Sequence, residues 1–208
     1  MSRFEISMDT LSDRLDACAL SPRARSLLAW YSRRWDGVVL WIDEPWAEVE
    51  YAELATDQSV AIAVFAAPVD VDGGLVLDNE QLLGDDTARD RSCFVFLEEV
   101  RCRDLATTPD THAVFAGGLV VERLACFAAP DATSVVEKRL HAALVLSGLG
   151  DSNVELVARA KKKVGTFVDS RRALARALEG PLAPIAERLE DEAVWEVARD
   201  VATGEEEL

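Results

Sequence analysis

The sequence predicts an α+β protein: a short β-solenoid of about three coils, flanked by N-terminal helices and a C-terminal helical segment. An apolar phrase returns three times in the middle of the chain. Val64-Phe65 is followed by Val69 and Val71, Val95-Phe96 by Val100 and Cys102, and Val114-Phe115 by Leu119 and Val121. Leu75, Leu105 and Leu124 close the three units. Apolar–polar alternation has the period of a strand, and a strand pattern that recurs at short intervals is that of stacked coils. On both sides of the phrase the apolar residues fall at helical spacing instead.

Residues 1–58 read as helices and a strand that cap the solenoid. Asp9-Thr10 opens a run with Leu11, Leu15 and Ala19 at helical spacing. Ser21-Pro22 then supplies an N-cap followed by proline at the first helical position. This second helix carries Leu27, Leu28, Trp30, Tyr31 and Trp35 and stops at Gly37. Val38 to Ile42 is a continuous apolar run, a buried strand, and Pro45 ends it.

Residues 59–130 hold the solenoid. The first two phrases begin 31 residues apart (Val64 to Val95) and the second two 19 apart (Val95 to Val114). The difference is a polar insert from Asp78 to Arg91, of the kind a stack of coils tolerates at one corner. Residues 131–208 read as helical. Ser134 with Glu137 and Ser152 with Glu155 each fit a capping box. Gly165 suggests a break and Gly180-Pro181 a firmer one, before a last helix from about Leu182 through Val201.

Composition sets the outer bounds. A chain of 208 residues with 50% hydrophobic content can bury a real core. The longest apolar runs fall short of the roughly 18–20 residues that a membrane span needs. Acidic residues at Asp9, Asp13 and Asp16 interrupt any leader-like layout, so the expectation is a soluble cytoplasmic protein. Cys18, Cys93, Cys102 and Cys126 have no metal-ligand spacing, and neither His112 nor His141 lies near a cysteine pair. They read as reduced structural thiols, with no cofactor or metal implied. A net charge of −16 argues against nucleic acid and anionic membranes and favours a basic protein partner.

The phrase from Val69 through Asp72-Gly73-Gly74 to Leu75, with Gly117-Gly118-Leu119 through Glu122, resembles the coils of bactofilin-type, polymer-forming bacterial β-solenoids. The resemblance spans about a third of the chain. It implies a right-handed parallel β-helix and a non-catalytic cytoplasmic scaffold. Helices bracketing the stack point to a capped, discrete solenoid in preference to a filament, because covering an exposed strand edge stops growth.

Each candidate site has a plainer reading. Asp70 and Asp72 could open a calcium loop, yet alternating aspartates describe the solvent face of a strand. Glu98, Glu99 and Glu122 could supply paired carboxylates, but adjacent strand residues face opposite sides. His112 near Asp110, with Ser92 or Ser134, has the residue types of a triad without a nucleophile elbow. His141 reads as a residue of an amphipathic helix. Asp85, Asp86 and Asp90 of the insert form an acidic patch for a basic partner. Residues 159–176 gather seven cations, among them Lys161, Lys162, Lys163, Arg171 and Arg172, around the single acid Asp169. Such a stretch suits an acidic protein surface, at home or on a partner, better than nucleic acid in so acidic a chain. Trp30, Tyr31, Trp35, Trp41 and Trp46 cluster near the N-terminus, and Trp46, between Pro45 and Glu48, is the one expected at the surface.

The expected function is a non-enzymatic interaction protein of adaptor, scaffold or immunity type. The interaction residues are Asp85, Asp86, Asp90, Trp46, Lys161, Lys162, Lys163, Arg171 and Arg172. A filament-forming homo-oligomer and a hydrolase with a degenerate site are the alternatives.

Overall fold

The computed structural model describes residues 3–34, 38–48, 52–55, 60–78, 93–127, 133–147, 153–156, 161–186, 188–205 and 208. In chain order the elements are β1 (Arg3–Ile6), α1 (Met8–Asp16), α2 (Pro22–Arg34), β2 (Val38–Ile42), β3 (Trp46–Glu48), β4 (Ala52–Ala55), β5 (Val60–Phe65) and β6 (Val69–Asp78). Next come β7 (Cys93–Phe96), β8 (Val100–Thr107), β9 (His112–Phe115), β10 (Leu119–Val121), β11 (Leu124–Cys126), β12 (Thr133–Val136) and β13 (Arg139–Leu146). The chain ends with β14 (Asn153–Leu156), β15 (Lys161–Val168), α3 (Arg171–Leu178), a 3-10 turn (Ala183–Ile185), α4 (Arg188–Asp191) and α5 (Val194–Thr203).

Each coil runs through a strand of one sheet, a short arc and a longer bent strand, or a pair of strands, of a second sheet. The first sheet has the order β1-β2-β5-β7-β9-β12-β14, parallel throughout except that β1 lies antiparallel on β2. In the second sheet β3 and β4 both pair with β6, followed by β8, then β10 and β11, then β13 and β15, all parallel. Four coils, β5–β6, β7–β8, β9 to β11 and β12–β13, have parallel neighbours on both sides. The stack is thus a β-solenoid of about four full coils, not three, with strands β2 to β4 before it and β14 and β15 after it.

The repeated phrase is the register of the stack. Val64, Val95 and Val114 align, as do Phe65, Phe96 and Phe115. Val69, Val100 and Leu119 form another lane, continued by Leu140. The closing leucines align only in part. Leu75 pairs with Leu105, but Leu105 pairs with Ala125, and Leu124 pairs with Leu144 in a different lane. The chain bends at this corner, where β8 uses one residue fewer than β6 and one fewer than the stretch from β10 to β11, so Leu124 falls outside the lane of Leu75 and Leu105.

Residues 133–136, 139–146, 153–156 and 161–168 are strands, which corrects the helices expected from Ser134/Glu137 and Ser152/Glu155. Capping boxes report local preference only. The open edges of β9 and of β10 and β11 offer unpaired peptide groups and apolar lanes, and pairing with them outweighs that preference. Gly165 lies inside β15 and is no break. The expected last helix is three pieces, broken between Ile185 and Arg188 and again before Val194.

Inward side chains fill the coil. Phe65, Phe96 and Phe115 stack at 4.9 and 5.1 Å between ring centres, Phe127 meets Phe115 edge-on at 6.4 Å, and Trp46 extends the stack at 6.2 Å from Phe65. Parallel-displaced rings in this range add dispersion and quadrupole attraction to their burial.

The helices cover flanks of the stack, which corrects the expected end caps. Leu11 and Leu15 of α1 and Ala24 and Leu28 of α2 pack on the outward residues Val39, Trp41, Ile62, Val64, Val95 and Val114 of the first sheet. Ala177, Leu182, Ile185, Val197, Val201 and Ala202 pack on Val76, Ala106, Leu124, Leu144 and Val168 beyond the bend of the second sheet. Helix α1 begins at an Ser7 N-cap, two residues before the expected Asp9, with the Ser7 hydroxyl accepting from the Thr10 amide at 3.2 Å. Ser21 caps α2 through the Ala24 amide, and its own amide donates to Glu137 Oε1 at 2.7 Å, pinning the helix to the arc before β13. Gly74 is needed where α5 lands, since a Cβ there would sit 1.9 Å from the Ala202 carbonyl oxygen. Among the described residues no helix is long and apolar enough to cross a membrane.

Candidate interaction surface

One flank of the solenoid carries no helix among the described residues. It is the outward face of the second sheet before its bend, where the strands alternate buried and exposed residues: Val69-Asp70-Val71-Asp72, then Val100-Arg101-Cys102-Arg103. One lane of this face runs Asp70, Arg101, Val120, His141, Lys163 in strand order, and Arg139 sits beside Lys161 in another. Charge therefore changes along the solenoid axis, from aspartates at the β6 end to lysines at β15.

In its middle the face is tied together by ion pairs, each of two carboxylates holding two arginines. Glu99, in the arc before β8, accepts from Arg101 Nε at 2.6 Å and is ion-paired with Arg139 two coils away. Gly118 makes the second contact possible. It lies in the intervening arc at φ +106°, and a Cβ there would stand 2.9 Å from Arg139 Cγ. At the bend, the fully buried Asp104 carboxylate accepts from Arg123 Nη2 at 2.7 Å, from Arg103 Nε at 3.1 Å and from the Leu124 amide at 3.2 Å. A buried carboxylate with this many donors is a structural clamp between coils.

At the β15 end no ion pair engages the lysines among the described residues. Lys161, Lys162 and Lys163 are exposed on the last strand, and Arg172 is exposed on α3. Arg171 opens α3. Trp46 is half-buried: its ring lies on Phe65 and its Nε1 donates to Glu48 Oε1 at 2.9 Å, so it closes the core at the opposite end. Asp85, Asp86 and Asp90 lie outside the described residues.

The structure does not bring Ser134 to His112. His112 is buried on the outer side of β9, its ring centre 6.1 Å from that of Trp30. Ser134 pairs with Ala113, whose side chain lies in the interior, so Ser134 and His112 lie on opposite faces of the sheet. Ser92 lies outside the described residues. His141 is exposed on strand β13, which corrects its assignment to a helix. Burial pushes the Cys93 and Cys102 thiols far up, and for Cys102 the neighbouring carboxylates Asp104, Glu122 and Asp70 add to it. Thiols held neutral in this way are inert nucleophiles. All four cysteines are free, and no group of metal-ligating side chains occurs among the described residues. A groove of about 410 Å³ between α1 and α2 is lined by Met8, Leu11, Leu15 and Leu28, with the Arg25–Asp16 ion pair at 2.6 Å on its rim.

The helical expectation for 139–146 and 161–168 conceals this face in the sequence. A signal for it exists in the alternation of 69–72, 100–103 and 140–142, set against the unbroken apolar runs on the covered flanks. No protein-family model, curated protein or solved structure matches the chain.

Proposed function

We propose that this chain is a non-enzymatic interaction protein, of adaptor, scaffold or immunity type, that uses its β-solenoid as a rigid platform. The observation that carries the reading is the uneven covering of the stack. Two flanks are covered by helices, and the third, which carries no helix among the described residues, runs from Asp70 at one end to Lys163 at the other. A rigid face with ordered charge gives specificity and orientation to protein association. The burial of His112 and of the Cys93 and Cys102 thiols supports a role other than catalysis. Four free cysteines fit a reducing, cytoplasmic setting. Right-handed coils are the hand that parallel strand crossovers adopt in nearly all cases.

The bactofilin likeness rests on the sequence phrase and leads to the second reading, a filament built by stacking coils end to end. Antiparallel β1 on the first sheet at one end and Lys162 in an inner lane of the second sheet at the other weigh against it, because each interrupts the apolar parallel lanes of its sheet.

The test is tagged purification from the native host followed by gel filtration with light scattering. A stoichiometric protein partner that stays bound through gel filtration is the expected result. Long polymers of the chain alone would turn the reading to the filament, and a lone monomer at native abundance would overturn it.

A further inference from the structure

Strand β15 ends the second sheet. It pairs with β13 along one side, from Lys161 against Arg139 to Val168 against Leu146, and no strand lies on its far side among the described residues. An open strand edge is a row of peptide donors and acceptors, and it accepts a further strand readily unless something bars it.

The side chains on this edge decide what can be added. Lys161 and Lys163 are outward and exposed, two positions apart, which in a strand is roughly 7 Å. Among the described residues no ion pair engages Lys161, Lys162 or Lys163, and neither β13 nor β15 contains an acidic residue. Lys162 occupies the inner lane filled by Val69, Val100, Leu119 and Leu140 in the coils before it, and its ammonium lies 3.7 Å from the centre of the Phe167 ring. A second copy stacked head to tail would set Trp46, the first residue of its own inner lane, over that ammonium and desolvate it without a counter-charge. An incoming strand with carboxylates at alternate positions instead places them about 4.8 Å from Lys161 and Lys163.

We propose that the free edge of β15 binds an acidic extended segment of a partner protein by strand addition, with carboxylates at alternate positions opposite Lys161 and Lys163. The proposal rests on the interaction-protein reading and names the partner's chemistry at one end of that platform.

The test uses the full chain and a labelled ten-residue peptide of alternating glutamate and threonine, followed by fluorescence anisotropy. Three competitors or variants accompany it: the same peptide N-methylated at alternate residues, Lys161→Glu/Lys163→Glu, and a ten-nucleotide single-stranded DNA. Saturable binding that falls roughly tenfold on N-methylation and roughly tenfold in the double variant is the expected result. Lys161→Ala/Lys163→Ala, which keeps both positions exposed and uncharged, gives an intermediate loss, and circular dichroism checks that both variants are folded. Absence of peptide binding overturns the proposal. Equal binding of the N-methylated peptide also overturns it, since charge alone would then suffice, and so does tighter binding of the DNA. A host partner that remains bound to the folded double variant overturns the β15 site while leaving the interaction-protein reading intact.

Discussion

The Lys162 ammonium lies 3.7 Å from the centre of the Phe167 ring, so a charged side chain closes the lane that apolar residues fill in the preceding coils. Phe167 pairs with Val145 and packs against the inner core. A lysine in an inward position at an edge is a known barrier to uncontrolled strand pairing. Its cation–π contact contributes about 0.5–1 kcal/mol at such a site, but its larger effect is on what can stack there. Lys162→Leu is therefore expected to leave the fold intact and to produce concentration-dependent dimers or larger species by gel filtration with light scattering. A variant that behaves as the parent at all concentrations would remove Lys162 as the barrier.

Phe96 sits between Phe65 and Phe115 in the ring stack, at 4.9 and 5.1 Å. Truncation at a fully packed ring leaves a cavity that neighbouring coils, tied by their backbone ladders, cannot close. Phe96→Ala should cost about 3–5 kcal/mol in urea unfolding, whereas Phe96→Leu should cost markedly less.

The Asp104 carboxylate is fully buried while Arg123 is about one-third exposed. Removing the acid strands the Leu124 amide and two guanidinium contacts, so Asp104→Ala is expected to lose about 2–3 kcal/mol. Arg123→Ala leaves a buried charge with one arginine, Arg103, beside it. A double-mutant cycle between positions 104 and 123 should show coupling. Additive losses would argue that the clamp is not formed.

Gly74 touches the end of α5, where a Cβ would overlap the Ala202 backbone. Gly74→Ala is expected to loosen the C-terminal helices while the inner coils persist. Limited proteolysis should then cut within 170–205 far faster than in the parent, with circular dichroism retaining its strand signal.

The buried thiols make stability pH-dependent on the alkaline side. Burial raises the Cys93 and Cys102 thiols above their ordinary value of 9.0 in the folded chain. Below that value both states hold the proton, and the thiols make no difference. As pH rises past it, the unfolded chain releases protons that the folded chain retains, so folding stability falls. Melting temperature should therefore drop above about pH 9 more steeply in the parent than in Cys93→Ala/Cys102→Ala, when each is compared with its own value at neutral pH.

Much of the solenoid was legible in the chain. The Val-Phe phrase located the inner lanes at Phe65, Phe96 and Phe115 because strand burial has a period of two and the arc between strands holds nearly constant length. The fourth coil was not legible. Val135-Val136 with Leu140 and Ala142 lacks the phenylalanine marker, and Ser134 with Glu137 mimics a helix start. In the fold Glu137 does cap a helix, but it is α2, more than a hundred residues earlier in the chain, through the Ser21 amide.

The sequence by itself determined which side chains face inward and also, in its pattern, which flanks would be covered. Ile62-Ala-Val-Phe65 and Phe94-Val-Phe96 are apolar on both sides of their strands, whereas Val69-Asp-Val-Asp72 and Val100-Arg-Cys-Arg103 are apolar on one. Tertiary structure alone decided that the helices cover those flanks, while Trp46 and Lys162 stand at opposite ends of the second sheet's inner lane. It also decided that Glu99 reaches Arg139 across Gly118, and that Lys161 to Lys163 lie on a terminal strand. The physical reason is the same in each case. Period-two burial is a property of one strand, but which strands pair, and which charges find a partner, depends on how the coils stack on one another.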